Sequence, residues 1–295
     1  MNINLDTGQC SAEERGDLAA YIGGIGVSCK LMNENLLPNP QLQWKQPVVL
    51  AIGPLTCAFP AFTKTAALYI GPEENGTASG PVESYTGGKL AMSMLAAGYT
   101  AIVITGTAER QSSLVISPNG ILLDDSDLMC EPPAGECESI ITVDSSGENR
   151  DGFAGVYVDS DHQLGRHGLG ACVKNKNLKT IIIKGSQSDR IKNMYTGCTG
   201  CAIGCVNFGK GEKKPGGRNN KTDKNNNSPN NEYGLCILNS LVMCLFAEKI
   251  YDRQRILDAL DSVNRPLTDN GLDAAGQRIY EIKQQLKSRC KALYR

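Results

Sequence analysis

One stretch of 24 residues, 209–232, most constrains how this 295-residue chain folds, because it contains no aliphatic or aromatic side chain. It consists mainly of asparagine, lysine and glycine, and such a segment cannot bury enough apolar surface to order itself. We therefore predict a flexible linker with an end-to-end reach of roughly 25–30 Å. The linker divides the chain into a large N-terminal part and a short tail.

The N-terminal part combines many strand patterns with few helical ones. Apolar runs predict strands at 48–52, 65–70, 101–105, 113–117, 120–123, 140–143, 153–158 and 179–184. Asn119-Gly120 predicts a hairpin between two of them. Helical patterns occupy 89–97, directly after Gly87 and Gly88, and 165–173. The strands are too numerous for a regular βαβ array, so the predicted fold class is α+β with mixed sheets.

The tail is helical in pattern. Apolar residues with helical spacing occupy 236–250, 253–263 and 271–293, and their stripes predict packing against the first domain or a partner. The predicted organisation is a β-rich N-terminal domain at 1–190, a cysteine segment at 191–208, the linker at 209–232 and a helical C-terminal part at 233–295.

Composition excludes several classes of function. The net charge of −1 gives no general attraction to nucleic acid or to an anionic membrane. The longest apolar region, 48–70, contains Pro54, Pro60 and Lys64, so it does not predict a membrane-spanning helix. The polar start of the chain lacks a secretory pattern. We therefore expect a cytoplasmic protein whose twelve cysteines are reduced or metal-bound.

Three cysteines stand close together in the segment before the linker. Cys198, Cys201 and Cys205 form a C-x2-C-x3-C pattern, and Gly200 and Gly204 permit the tight turn that makes thiolates converge. An iron–sulfur cluster takes four thiolates, and structural zinc also takes four ligands. The spacing favours a metal site over unrelated buried thiols and leaves both metals open.

A glycine-rich stretch, GRHGLG at 165–170, forms the start of the helical pattern at 165–173. It does not follow the G-x-G-x-x-G order of a dinucleotide-binding turn. A plain turn and a phosphate-binding loop both remain open for it.

Several segments in this order resemble the aldehyde:ferredoxin oxidoreductase family of tungsten or molybdenum pterin enzymes. They are YIGGIGVSCKLM, LAIGPLT, TGGKLAMSMLAAGYTAIVITG, FAGVYVD, LGRHGLGACVKNKNLKTIIIKG and YTGCTGC, followed after the linker by LNSLVMCLF and GQRIYEIKQQ. The resemblance covers most of the chain except the linker. It implies a redox protein that oxidises aldehydes and passes electrons to ferredoxin or another redox subunit.

The resemblance also implies two cofactors. Four cysteines would bind a [4Fe-4S] cluster, namely Cys198, Cys201, Cys205 and Cys244, with Cys236 as a rival for the fourth position. A tungstopterin or molybdopterin would be lined by Lys64, Gly87, Gly88, Arg166, Gly168 and Gly170.

This sequence departs from the family pattern at several positions. Lys64 stands where an arginine is expected, Tyr85 where an asparagine is expected and Asn239 where an aspartate is expected. Most of the family's central helical region is missing, and the linker stands in its place. Two alternatives follow: a non-catalytic iron–sulfur electron-transfer or assembly subunit, and a zinc-stabilised binding module. A partner that covers the missing region is a further expectation.

Overall fold

The computed structural model describes residues 1–39, 45–59, 62–71, 80–125, 137–143, 155–160, 162–165, 168–186, 236–237, 239–241 and 253–294. Its strands form two six-stranded sheets. The first, in the order β2-β1-β6-β3-β4-β5, contains β1 (Asn2–Asn4), β2 (Gln9–Ser11), β3 (Val48–Ile52), β4 (Thr65–Ile70), β5 (Pro81–Thr86) and β6 (Ala101–Thr105). The second, in the order β11-β10-β9-β12-β7-β8, contains β7 (Ser112–Ser117), β8 (Gly120–Asp124), β9 (Glu138–Val143), β10 (Val156–Val158), β11 (His162–Gln163) and β12 (Leu178–Lys184).

Both sheets are mixed, and helices accompany them. The β1–β6 and β7–β12 pairs are parallel, and the remaining pairs are antiparallel. A 3-10 helix (Gly16–Tyr21) precedes α1 (Gly24–Asn35), and α2 (Leu90–Ala96), α3 (Leu169–Asn175), α4 (Arg253–Ser262) and α5 (Asp269–Leu293) follow. The α+β class predicted from the sequence is therefore confirmed.

The main core lies between the two sheets. Alternate residues of the first sheet, such as Leu50 and Tyr69, and of the second, such as Ile141 and Ile181, belong to one buried cluster. Side chains of α2 and α3 complete this cluster. Because successive side chains of a strand point to opposite faces, the other face of the first sheet needs its own cover.

That cover comes from α1 and from α5 of the tail. Leu68 and Ile70 of β4 are buried in one cluster with α1 residues and with Ile282 and Leu286 of α5. The predicted stripe of the last helix is thus confirmed, and it packs against the N-terminal domain. The tail also approaches the domain backbone closely: Ser240 Oγ accepts a hydrogen bond of 3.1 Å from the Gly26 amide.

The strands predicted at 48–52, 65–70 and 101–105 are confirmed at those bounds. The hairpin is also confirmed, with Ser117 opposite Gly120. β5 was not predicted, because it is a half-buried edge strand, PVESYT, without an apolar run. The linker at 209–232, the cysteine segment and the domain boundaries at 190, 208 and 232 lie outside the described residues and stay predictions.

Candidate functional site

The end of the β4–β5 ladder brings two predicted cofactor residues together. Thr65 is paired with Thr86 in the antiparallel register, so the next step of the same register places Lys64 opposite Gly87. Lys64 is half-buried, and Gly87 is buried. The residues come from separate sequence motifs, and the hydrogen-bonded ladder is what makes them neighbours.

Gly88, the next predicted residue, packs against the second sheet. Its φ of +80° is a conformation that side chains rarely adopt. A Cβ atom there would stand 3.1 Å from Nδ1 of His162 and 3.4 Å from Oδ2 of Asp159. Glycine is therefore required both by the backbone conformation and by the close approach of the β10–β11 turn.

Asp159 connects this turn to the second sheet. Its Oδ2 accepts a hydrogen bond of 3.2 Å from the Lys89 amide, at the start of α2. Its Oδ1 accepts from the Ser139 hydroxyl at 2.9 Å and from the Ile140 amide at 3.0 Å. The sequence reasoning did not single out Asp159, although aspartate in a tight DSD turn tolerates the positive φ of 52° found here. Its carboxylate already accepts a hydrogen bond from the amide directly after Gly88, one of the residues that the resemblance implied would line the pterin.

Gly165, the first residue of the glycine-rich stretch, lies at the same edge of the first sheet. The Gly165 amide donates a hydrogen bond of 2.8 Å to Ser84 Oγ on β5. Gly168 has a φ of +88° and precedes α3, and Gly170 is buried in the first turn of that helix. Arg166 lies outside the described residues. Of the described glycines of this stretch, Gly165 thus contacts the first sheet on its β5 side.

Two buried hydroxyls stand at this end of the ladder. Thr65 and Thr86 are 0 % and 3 % exposed, and neither Oγ1 has a hydrogen-bond partner within the part of the chain that the structure describes. They lie opposite each other in the register, on the face that looks toward the second sheet. A buried polar atom without a partner carries a free-energy cost, so a polar group reaching these hydroxyls would be favoured.

An ion pair fixes the opposite face of β5 to the tail. Lys283 Nζ lies 2.6 Å from Glu83 Oε1, and the Tyr85 hydroxyl donates a 2.9 Å hydrogen bond to Glu83 Oε2. Burial and then the Glu83 carboxylate raise the pKa of Tyr85 well above its ordinary value. Burial opposes the charge of Lys283, but the nearby carboxylate outweighs it and raises the pKa of Lys283. Tyr85, which replaces the expected asparagine, therefore serves this pair.

The predicted cluster cysteines cannot be placed in this arrangement. Cys198, Cys201, Cys205 and Cys244 all lie outside the described residues. Cys236, the rival for the fourth position, is 4 % exposed within an apolar cluster formed by tail helices and residues of the N-terminal domain.

Within the ranges that the structure describes, no group of three histidine, cysteine or acidic side chains is placed to hold a metal ion. None of the helices within those ranges is long and apolar enough to span a membrane.

A cavity of about 610 Å³ lies at the same end of the first sheet, but beside β1, β3 and β6 rather than β5. Its lining includes Arg15, Val27, Pro54, Tyr99 and Arg265. None of the predicted cofactor residues contributes to it. This cavity and the predicted cofactor residues therefore lie in different parts of the domain. The candidate site is taken from the predicted cofactor residues.

Comparison with known proteins assigns the fold to a family. The two mixed sheets and the helices packed on them form the N-terminal domain. Residues 1–185 match the family model described as "Aldehyde ferredoxin oxidoreductase, N-terminal domain". The chain belongs to the aldehyde ferredoxin oxidoreductase family, as the order of its motifs predicted.

Relatives from archaea show the extent of the similarity. A tungsten-containing aldehyde ferredoxin oxidoreductase from Pyrococcus furiosus is 26 % identical over 208 residues, which are 64 % of this chain and 33 % of the relative. That from Thermococcus kodakarensis is 25 % identical over 203 residues, 63 % of this chain and 33 % of the relative. An aliphatic sulfonate oxidoreductase, WOR-like subunit, from Pyrococcus furiosus is 28 % identical over 197 residues, 57 % of this chain and 31 % of the relative. The chain thus spans about a third of the length of these relatives.

A solved structure supports the fold. The active site complex BamBC of benzoyl coenzyme A reductase, in complex with 1,5-dienoyl-CoA, aligns with a TM-score of 0.51 and 21 % identity. The alignment covers 63 % of this chain and 30 % of the other. At this level of identity the similarity establishes shared architecture alone.

Proposed function

We propose that this chain is a redox protein that binds a [4Fe-4S] cluster through Cys198, Cys201, Cys205 and Cys244. We further propose that its β4–β5 edge forms part of a tungsten or molybdenum pterin site. The observation that carries the proposal is that Lys64, the Gly87-Gly88 turn and Gly165 all adjoin strand β4 or β5 of that edge, within a domain that matches the family over residues 1–185.

The residues of the edge fit a pterin in part. Lys64 offers a positive charge for a phosphate, although as a point charge rather than the planar fork of an arginine. The hydroxyls of Thr65 and Thr86 offer two unpartnered hydrogen-bonding groups in a buried position. The start of α2 does not fit a phosphate, because Asp159 already binds the Lys89 amide and contributes a negative charge there.

A bound pterin-held metal would supply the two-electron chemistry of aldehyde oxidation. The contribution of this chain would be to hold and orient the cofactor. Lys64 would neutralise phosphate charge, and the buried position of Thr65 and Thr86 would exclude water from the groups they bind. The cluster would pass electrons singly to ferredoxin or another redox subunit.

The short length of the chain favours a second candidate function. Because the chain covers about a third of its relatives, a complete substrate cavity would require a partner for the missing helical region. The tail also covers the outer face of the first sheet and binds Glu83 through Lys283. A non-catalytic electron-transfer or assembly subunit that retains the cluster is consistent with both observations.

Metal and sulfide analysis of protein purified without oxygen tests the proposal. We expect about four iron atoms and four acid-labile sulfides per chain, with the broad brown absorption of a cluster. Tungsten or molybdenum should be present in a smaller amount than iron, because this chain would cover only one face of the pterin cofactor.

The Cys201→Ser variant should lose iron, sulfide and the brown absorption together, whereas Cys10→Ser, which removes an exposed thiol, should retain all three. Zinc bound without sulfide would contradict the proposal and support a zinc-stabilised module. Stoichiometric tungsten with pterin would instead overturn the non-catalytic candidate.

A further inference from the structure

Three sulfur-containing side chains meet in a small buried cluster of their own. Cys57, Met92 and Cys137 are 9 %, 5 % and 4 % exposed, and they form a cluster separate from the larger apolar cores. Leu95 and Ala96 of α2 pack against it. The three residues come from distant parts of the sequence: the turn after β3, the helix α2 and the residue before β9.

The backbone holds two of these residues firmly. The Cys57 amide donates a 2.9 Å hydrogen bond to Thr63 Oγ1, whose hydroxyl donates to the Phe59 carbonyl at 3.0 Å. The Cys137 carbonyl accepts a 2.8 Å hydrogen bond from the Gly185 amide. The two thiols are thus positioned by neighbouring turns and strands, and Met92 by the helix between them.

Cys57 occupies a conformation that would suit glycine better. Its φ is +65°, in the left-handed region where a side chain is strained against the backbone. A glycine would satisfy the same turn without this strain, so the fold alone does not account for a cysteine here. Its packing in one cluster with Cys137 and Met92 offers a reason.

The chemistry of the cluster is specific. Thiolate and thioether sulfur are soft ligands that select copper(I), whereas zinc prefers four nitrogen or sulfur ligands with few thioethers among them. Among the residues that the structure describes, no histidine, acidic side chain or further cysteine joins Cys57 and Cys137 in a group of three that could hold a metal ion. We propose that Cys57, Met92 and Cys137 form a binding site for one copper(I) ion, held by two thiolates and one thioether.

Binding would displace protons. Burial, with a smaller contribution from Cys137, raises the pKa of the Cys57 thiol to about 12, so the thiol is protonated at neutral pH. Each thiol that becomes a thiolate ligand releases one proton to solvent, and copper(I) keeps its oxidation state. Affinity should therefore increase with pH. The site does not involve the cysteines of the proposed iron–sulfur cluster. Failure of the copper proposal would therefore leave the proposed function untouched, and the reverse also holds.

A competition experiment with the full chain tests the proposal. Copper(I) is supplied without oxygen as a complex with a chromophoric chelator, and the copper retained per chain is measured. Other thiols of this chain also retain copper, so the result is the difference between variants. Cys57→Gly should retain one equivalent less than the unmodified chain, and glycine suits the positive φ, so this variant should fold normally.

Two matched variants complete the design. Met92→Leu conserves volume and removes only the thioether, so it should weaken binding at this site by about tenfold or more. Cys10→Ser removes an exposed thiol far from the cluster and should leave the retained copper at this site unchanged. X-ray absorption should show copper coordinated by sulfur alone in the difference between the unmodified chain and Cys57→Gly.

Several outcomes would overturn the proposal. Equal copper retention by the unmodified chain and Cys57→Gly would exclude a site at this position. Unchanged affinity in Met92→Leu would exclude the three-sulfur site. Displacement of the copper by an equal concentration of zinc would exclude selectivity for a soft monovalent ion.

Discussion

The junction between the two sheets and the junction between the first sheet and the tail each bury a lysine. At the first, Lys176 is 1 % exposed, and its Nζ donates a 3.1 Å hydrogen bond to the Gly106 carbonyl. The nearest carboxylate that affects it, Asp6, is bound to Lys45 at 2.7 Å. At the second, Lys283 is paired directly with Glu83.

The pKa values of the two lysines therefore shift in opposite directions, although burial lowers both. Desolvation lowers the pKa of Lys176 from 10.5 to about 8, although Cys172 and Asp6 oppose the shift. The Glu83 carboxylate raises the pKa of Lys283 despite its burial. The junction between the sheets is held by apolar packing that tolerates an unfavourable charge, whereas the tail is positioned by matched charge and close backbone contact.

The largest expected effect concerns Lys176 and pH. Because its pKa is lower in the folded state, the unfolded chain binds more protons between pH 8 and 10.5, so stability from this group rises with pH in that window. The shift corresponds to about 3 kcal/mol. Compared with Lys176→Met, the unmodified chain should gain about that free energy of unfolding across the window, measured by urea denaturation at several pH values.

Buried thiols are present in both proteins, so the difference reports Lys176 together with Cys172, whose charge interacts with that lysine. Lys291→Met, which removes an exposed lysine, should leave the pH dependence unchanged. Parallel pH profiles for the unmodified chain and Lys176→Met would show that the buried amine carries no such cost.

The second prediction concerns the contact between the tail and the domain backbone. A Cβ atom on Gly53 would stand 2.5 Å from the Leu241 carbonyl oxygen. Gly53→Ala should therefore displace the tail and destabilise the chain by about 2 kcal/mol. Hydrogen exchange should become faster for amides in 236–241 and α5. The strands of the two sheets should stay as protected as in the unmodified chain.

Gly16→Ala is the matched control, since a Cβ atom there meets no atom within 4 Å. A loss of protection throughout both sheets in Gly53→Ala would indicate that the tail and the domain unfold as one unit.

The smallest expected effect concerns the ion pair at the tail. The side chains of Lys283 and Glu83 are 16 % and 24 % exposed, so Lys283→Met should cost about 1–2 kcal/mol, less than breaking a fully buried pair. The double variant Lys283→Met with Glu83→Gln should recover part of this loss, because no unpaired carboxylate remains. Chemical denaturation at neutral pH measures both.

Lys287→Met, one turn further along α5 and exposed, should change stability little. Because the pKa of Lys283 is raised, the contribution of the pair should be present below pH 10.5 and be lost as pH rises through the folded pKa. Additive effects of the two substitutions would mean that the pair contributes nothing to docking.

The sequence predicted the parts of the fold that depend on local pattern. Strands such as 48–52 and 101–105 are continuous apolar runs, and burial on both faces makes such runs recognisable. β5 was missed because a half-buried edge strand has no such signal. The strand order and the covering of the first sheet by α5 depend on contacts between distant residues, which no local pattern encodes.

The candidate site shows the same limit. The glycine turns and Lys64 were found through the resemblance to a family, but their juxtaposition depends on the β4–β5 register. Asp159 and the Thr65–Thr86 pair were not found, because a single aspartate in a turn and two threonines in strands are common in any sequence. The cysteine ligands stay a prediction from spacing and resemblance, since they lie outside the described residues.

The hydrogen bond between Gly26 and Ser240 joins residues 214 positions apart, and this separation has a consequence for synthesis. While the ribosome makes the chain, the N-terminal sheets can form before the tail exists. The outer face of the first sheet, including Leu68 and Ile70, then has no α5 to cover it. We expect a nascent intermediate with an exposed apolar surface that persists until the last helix emerges, and that depends on chaperones during this interval.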